Sequence, residues 1–385
     1  MKKQRNTMQQ QGRDYTVLAV FAIILIMVLV GVISSHHPME YSMYNSSSIS
    51  YEKGVVNRIV SEDLAEEEGT GRKLGLQVLE VEIKAGTYKG QLVAVQNNLS
   101  TTHYVPVKKG QEIIVKIDAP EGTVAYLTVY NYDRTRGILL AGMIFALFMA
   151  VVGRRKGFGS VAGLLVSLFF LIKMLIPMLY HGCSPILSSL LTACLIAASC
   201  MVLLNGVSVK TGISLISIMT GLVISVGTYY LIAGLLSVTG YQLEEGESLL
   251  LISQHTGLNV GQLLFACVVI ASLGALMDMT MSLTSSLCEI REVHPKTSRK
   301  DLIRSGMHVG GDMVGTMCET LILAFAGTAL PFLLVLSSYG IHLDQLLSSN
   351  YLAIEILQGI TGGISVVLSV PVTVCLTAAW VTRKE

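Results

Sequence analysis

Two regularly spaced sets of polar residues interrupt a chain that is otherwise strongly apolar. The first set is Asp278, Ser282, Ser285 and Glu289, at spacings of i, i+4, i+7 and i+11. On an α-helix these four residues fall within roughly 60° of arc, which predicts a polar stripe down one face. Carboxylate and hydroxyl oxygens in such a stripe are suited to holding a cation or a proton.

The second set repeats the same spacing about thirty residues later. It consists of His308, Asp312, Gly315 and Glu319, with Thr316 beside Gly315. The two sets predict consecutive, antiparallel helices, the sixth and seventh of the chain, whose polar stripes face each other. We therefore expect a polar binding site between these two helices.

Glycines accompany both sets. Gly274 precedes the first, and Gly311 and Gly315 form a G-x-x-x-G pair within the second. Glycines at this spacing let helix backbones approach closely and also tolerate the locally broken helices that line transport sites. We expect these three glycines to lie where helices pack.

Some of the polar residues have a simpler explanation. Glu289 and His308 are predicted near the membrane surface, where water solvates them, and Asp312 lies near a helix N-terminus, where an acid is favourable by itself. Asp278 and Glu319 lie inside apolar runs. For this pair a functional site is favoured over buried structural hydrogen bonding, and both interpretations stay open.

The composition indicates a polytopic α-helical membrane protein. Of 385 residues, 52% are hydrophobic and 14% charged, whereas soluble proteins carry about a quarter charged residues. The apolar residues gather in eight blocks long enough to cross a bilayer. The blocks are 15–33, 137–153, 158–179, 185–204, 212–238, 261–287, 310–338 and 353–381.

The charges of the loops predict the topology. Lys and Arg occupy alternate loops, and the intervening short loops 180–184, 239–260 and 339–352 have neither. By the positive-inside rule, the N-terminal segment 1–14 and the tail 382–385 are cytoplasmic. We interpret the helix at 15–33 as an uncleaved anchor, with a cleaved signal peptide as the alternative. Residues 34–136 are predicted to be extracytoplasmic, and 137–381 to form a membrane domain of seven helices.

A small all-β domain is predicted at 51–132, after a polar linker at 34–50. Segments near 52–61, 75–84, 88–96, 111–118 and 123–131 alternate with period two and are separated by turn residues. Five short strands favour a small barrel or sandwich, with an OB-like barrel as one form. The domain has no basic and aromatic stripe of the kind that binds nucleic acid, so partner contact or scaffolding is favoured over ligand binding.

The sequence predicts no cofactor and disfavours enzymatic activity. It contains no P-loop, no H-E-x-x-H and no cysteines at zinc spacing. The methionines around both polar sets, such as Met277 and Met313, are interpreted as packing residues rather than copper ligands. The net charge of +1 does not indicate a nucleic-acid partner.

The sequence resembles the YibE/F-like family of bacterial multi-pass membrane proteins. The motifs are Gly274–Asp278, Ser305–Met307, Asp312-x-x-Gly315-Thr316-Met317, Thr320–Ala324 and Tyr132–Thr135. Asn is usual in the family where His308 and Glu319 stand, and Arg where Gly311 stands. The resemblance implies a bacterial cell membrane protein and leaves Asp278 and Asp312 as the matching acids.

Two functions follow as hypotheses. The leading one is a permease for a small solute or ion that uses the polar site of the sixth and seventh helices. The alternative is an envelope-assembly or accessory protein whose β domain binds a partner, and an intramembrane aspartyl-type hydrolase is a distant third. The expected partners are the lipid bilayer, a small solute or ion, and a second copy or another membrane protein.

Overall fold

A computed structural model describes residues 2–39, 41 and 48–382, without the side chains of residues 2–14 and 155. Residues 1, 40, 42–47 and 383–385 lie outside the described residues, and with them part of the predicted linker 34–50 and of the predicted tail 382–385.

The predicted eight helices are confirmed: the described chain has eight that are long and apolar enough to cross a membrane. They are α1 (Tyr15–His36, the end of a helix that begins at Lys2), α2 (Thr135–Arg154), α3 (Lys156–Tyr180), α4 (Pro185–Asn205), α5 (Val209–Leu236), α6 (Val260–Val293), α7 (Arg299–Ser338) and α8 (Asn350–Thr382). Short helices at Gly246–Thr256 and Leu343–Leu347 precede α6 and α8.

The break between α2 and α3 is a single residue. Arg154 has φ 49° and ψ −127°, so the helical hydrogen-bond ladder cannot run through it unchanged. Downstream, α3 contains one turn of π-helix at Leu171–Leu175.

The chain forms two compact units. One comprises Tyr44–Leu147, and the other comprises Met1–Met43 with Phe148–Glu385. The first unit holds five strands: β1 (Ile49–Glu66), β2 (Lys73–Ile83), β3 (Leu92–Leu99), β4 (Glu112–Asp118) and β5 (Tyr126–Tyr132).

The five strands close into a barrel in the order β1-β2-β3-β5-β4. The β3–β5 pairing, at Gln96 and Thr128, is parallel, and the other pairings are antiparallel. Of the two predicted forms, the barrel is therefore the one observed. Alternate residues of β2 and β4, such as Leu79, Val81 and Ile113, fill its interior.

Three polar residues are also buried in the barrel. Glu52 accepts hydrogen bonds from the backbone N–H groups of Thr87 (2.7 Å) and Tyr88 (3.3 Å). The Asn97 amide donates to the side-chain oxygen of Gln77 at 2.8 Å. These bonds fix the loop after β2 and join β2 to β3.

Helix α6 is central to the helical unit. It packs against α4, α5, α7 and α8, and Leu264, Phe265, Leu276, Met279 and Leu283 on α6 are fully buried. The candidate site residues on α6 and α7 are thus attached to the best-packed part of the unit.

Candidate functional site

The α6 polar set lies on the side of the helix away from the core. Asp278 and Glu289 are exposed within the chain, and Ser282 and Ser285 are half-buried. The core side of α6, which includes Leu283, is buried. Helix α6 therefore has an apolar side fixed by packing and a polar side that the chain covers only in part.

The α7 polar set is more exposed still. His308, Asp312, Gly315, Thr316 and Glu319 are all exposed within the chain. The opposite side of α7 packs on the helical core through residues that include Leu302, Gly306, Gly310, Met313, Met317 and Leu321. The sequence-predicted polar residues thus share one side of α7, and the chain leaves that side open.

Four ionisable side chains of the two polar sets have no polar partner in the part of the chain that the structure describes. This holds for Asp278, His308, Asp312 and Glu319, which form no hydrogen bond or ion pair with another described residue. The Thr316 hydroxyl donates to the carbonyl of Met313 at 2.9 Å, within its own helix. The predicted meeting of the two stripes across a shared site therefore stays a prediction.

The close approach of α7 to its neighbours occurs at Gly306 and Gly310. A Cβ atom at Gly306 would lie 2.9 Å from Val374 on α8 and 3.0 Å from Leu287 on α6, and one at Gly310 would overlap Val370. These glycines form a G-x-x-x-G pair that sequence reasoning passed over. The signal in the sequence is that the apolar residues Leu302 and Met313 fall on the same side of the helix as these two glycines.

The three glycines predicted to lie at helix contacts have open space beside them in this chain. A Cβ at Gly274, Gly311 or Gly315 would have no described atom within 4 Å, leaving aside chain neighbours and the helix's own backbone. Any close packing at these positions must involve atoms other than those of the described residues.

A row of hydroxyls in the helical core was not predicted from the sequence. On α8, five residues at four-residue spacing are fully buried: Thr361, Ser365, Ser369, Thr373 and Thr377. Bonds cross to neighbouring helices from Ser225 to Ser365 (2.6 Å) and from Thr284 to Thr377 (3.4 Å). Small hydroxyl side chains permit close helix packing and bond across it, so the row holds α5, α6 and α8 together.

Glu355 on α8 is the other carboxylate of interest. The residue is half-buried, and one oxygen is buried without a hydrogen-bond partner among the described residues. Glu355 lies near the start of α8 and was not among the residues predicted from the sequence. A buried carboxylate oxygen without a partner is costly, which adds this residue to the candidates for proton or cation binding.

The methionines near both polar sets contribute to packing. Met279 is fully buried, and Met277, Met281, Met313 and Met317 pack partly buried against the core. Within the described residues, no group of three or more His, Cys, Asp or Glu side chains is arranged to hold a metal ion.

The segment before α2 has a clear structural role. The Asp133 carboxylate forms an ion pair with Lys53 at 2.8 Å and accepts a hydrogen bond from the backbone N–H of Thr135 at 3.0 Å. The bonds from Lys53 and Thr135 lower the pKa of Asp133 to about 2. This carboxylate therefore ties the start of α2 to strand β1 of the barrel.

Two family matches together cover nearly the whole chain. The family described as YibE/F-like protein matches residues 141–383. Its companion, the YibE/F family N-terminal domain, matches residues 49–132, which comprise the barrel. Comparisons with curated proteins and with solved structures found no match.

Proposed function

We propose that this chain, which belongs to the YibE/F-like family across both of its units, is a permease for a small solute or ion. The observation that carries the proposal is the set of ionisable side chains on α6 and α7 that have no polar partner among the described residues. Such residues in membrane-spanning helices commonly mark ion or proton pathways.

The proposed orientation follows the loop charges. The basic loop between α6 and α7, which includes Arg291 and Lys296, is cytoplasmic, as are both termini, and the barrel is extracytoplasmic. Asp312 and Glu319 are then about 10 Å apart along α7 in the bilayer. An ionised carboxylate near the bilayer centre costs about 2.5–3.5 kcal/mol, so an uncompensated placement would disfavour insertion.

A bound cation or proton removes that cost. Asp278 and Asp312 supply the charge, and Ser282, Ser285 and Thr316 supply neutral oxygens. Carboxylate and hydroxyl oxygens suit hard cations, and protonation neutralises the same carboxylates. His308 and Glu319 extend the polar surface by about one turn before Asp312 and two turns after it.

The test is ion flux through proteoliposomes that contain the full-length protein. Asp278→Asn and Asp312→Asn, alone and together, should abolish cation or proton flux because they remove charge with little change in size. The matched control is Asp344→Asn, which changes an exposed aspartate between α7 and α8. Unchanged flux in the double variant, with the control also active, would refute the site.

A second candidate function is partner binding by the barrel. Tyr51 and Tyr130 lie on the outer surface with ring centroids 4.9 Å apart, and both side chains are exposed, as is Tyr126. Exposed tyrosines are enriched at protein interfaces. Deleting residues 51–132 separates the two functions, because a permease retains flux whereas an adaptor loses all activity.

A further inference from the structure

The outward side of α7 is a defined surface that the chain leaves uncovered. We use the term α7 face for Gly311, Asp312, Gly315, Thr316 and Glu319, all of which are exposed. Helix α7 packs against α8 and α6 through its other side. A helix apolar enough to cross a membrane thus carries charged and hydroxyl groups that the described part of the chain does not cover.

The spacing of the α7 face is that of a helix-pairing surface. Its residues follow i, i+1, i+4, i+5 and i+8, the pattern along which two helices cross when their i±4 ridges interdigitate. Gly311 and Gly315 lie at the closest point, and a Cβ at either would meet nothing within 4 Å. The glycines therefore leave room for a second backbone, as in right-handed G-x-x-x-G pairs.

The chemistry of the face indicates what covers it. The helices of this chain with the least buried surface are α1 and α2. They carry no hydroxyl, amide or ionisable side chain within 17–33 or 137–153. Through these segments, neither helix can offer a side-chain hydrogen-bond partner to Asp312 or Glu319. A second copy of α7 brings the same polar groups at the same depth.

An imidazole at the edge of the face adds a hydrogen-bond donor beside its carboxylates. His308 lies one turn before Asp312 and is exposed on the same side of α7. In a two-fold pair, a contact from residue i to residue j is repeated from j to i. His308 of each copy can therefore donate a hydrogen bond to Asp312 of the other, across the glycine crossing.

We propose that two copies of this chain pair through the α7 face, with Gly311 and Gly315 at the crossing. Asp312, Thr316 and Glu319 of both copies then approach the two-fold axis, and the polar site is completed by the second copy. The pairing goes beyond the proposed function, whereas assigning the site to both copies rests on it.

The first test counts subunits of the full-length protein, fused to a fluorescent protein after residue 385, in dilute lipid vesicles. Two bleaching steps are expected for the unchanged chain. Gly315→Leu should raise the dissociation constant of the dimer at least tenfold. The matched control is Gly227→Leu on α5, another exposed glycine with open space beside it. Single-step bleaching of the unchanged chain, or unchanged pairing of Gly315→Leu, would overturn the proposal.

The second test does not depend on how Gly315→Leu folds. Thr316→Cys should give an oxidative disulfide dimer above the background set by the seven native cysteines. Val223→Cys, at an exposed site on α5, should stay at background. Equal cross-linking of the two variants would contradict the pairing.

Failure of the pairing is distinguishable from failure of the proposed function. Paired chains whose flux is unchanged by Asp278→Asn with Asp312→Asn would leave the interface standing and remove the permease site. Single chains that lose flux in those variants would do the reverse.

Discussion

The hydroxyls of Ser225 and Ser365 lie 2.6 Å apart in the helical core and join α5 to α8. Both residues are fully buried, and each hydroxyl also lies within hydrogen-bond distance of a carbonyl of its own helix. The bond between the two helices is thus added to local bonds that hold each side chain in place.

Ser365→Ala should lower the free energy of unfolding by about 0.6 kcal/mol and by no more than about 1.7 kcal/mol, the range for hydrogen bonds between membrane helices. The measurement is denaturation in mixed micelles. Thr220→Ala is the control, because the Thr220 hydroxyl bonds only to Ile216 of its own helix among the described residues. Equal losses in the two variants would show that the bond between helices contributes nothing.

Gly310 and Gly311 are adjacent but should respond oppositely to alanine. Gly310→Ala places a methyl group against Val370 and should cost about 1–3 kcal/mol of stability. Gly311→Ala enters open space and should be neutral or stabilising by up to about 1 kcal/mol, because alanine favours helix. Unfolding measured in dilute micelles, where chains are separate, distinguishes them. Equal effects would contradict the observed packing of α7.

Gly86 should be the less replaceable of two glycines with the same backbone angle. Gly86 and Gly90 both have φ of 84°, so the backbone strain of an alanine is similar at each. A Cβ at Gly86 would also collide with the Glu52 carboxylate, whereas none would at Gly90. Gly86→Ala should therefore destabilise the barrel by at least about 1 kcal/mol more than Gly90→Ala. Hydrogen exchange of β1 and β2 in the full chain measures the difference, and similar exchange would contradict it.

Asp133 should make the barrel junction sensitive to acid. Its pKa is lowered to about 2 by Lys53 and Thr135, below the value of about 3.9 in an unfolded chain. The stabilisation is therefore complete above about pH 4 and is lost as the pH falls towards 2. We expect roughly 1–2 kcal/mol, because Lys53 is half exposed to solvent.

Asp133→Asn should remove that part of the pH dependence. Proteolytic cleavage near residue 133, followed from pH 5 to pH 2, should rise with acid in the unchanged chain and be high and flat in the variant. Asp63→Asn, at an exposed site on β1, is the comparison. An unchanged acid profile in Asp133→Asn would contradict the role of the ion pair.

The helices and strands were predictable because their signals are local. A block of apolar residues identifies a helix wherever it packs, and period-two alternation located all five strands. The bounds were less exact, since the third strand was predicted at 88–96 and lies at Leu92–Leu99. The largest difference is the length of β1, which was predicted to end near residue 61. It continues to Glu66 because it pairs with β2 as far as Lys73, and residues such as Asp63 and Glu66 carry no apolar alternation.

The side of each helix that is buried was harder to predict. Helix α7 has two G-x-x-x-G pairs offset by five residues, and only packing distinguishes Gly306 and Gly310 from Gly311 and Gly315. The α8 hydroxyls were missed for a related reason. Serine and threonine lower hydropathy only slightly, so Ser365 reads as membrane-compatible whether it faces lipid or the core.

The ion pair between Lys53 and Asp133 also bears on how the barrel is inserted in the chain. Lys53 lies near the beginning of the first strand and Asp133 directly after the last, so the entry and exit of the barrel are neighbours. A module whose two ends meet can be removed, replaced or exchanged between relatives without stretching the flanking chain. The family therefore has a route to vary its barrel while keeping its helices.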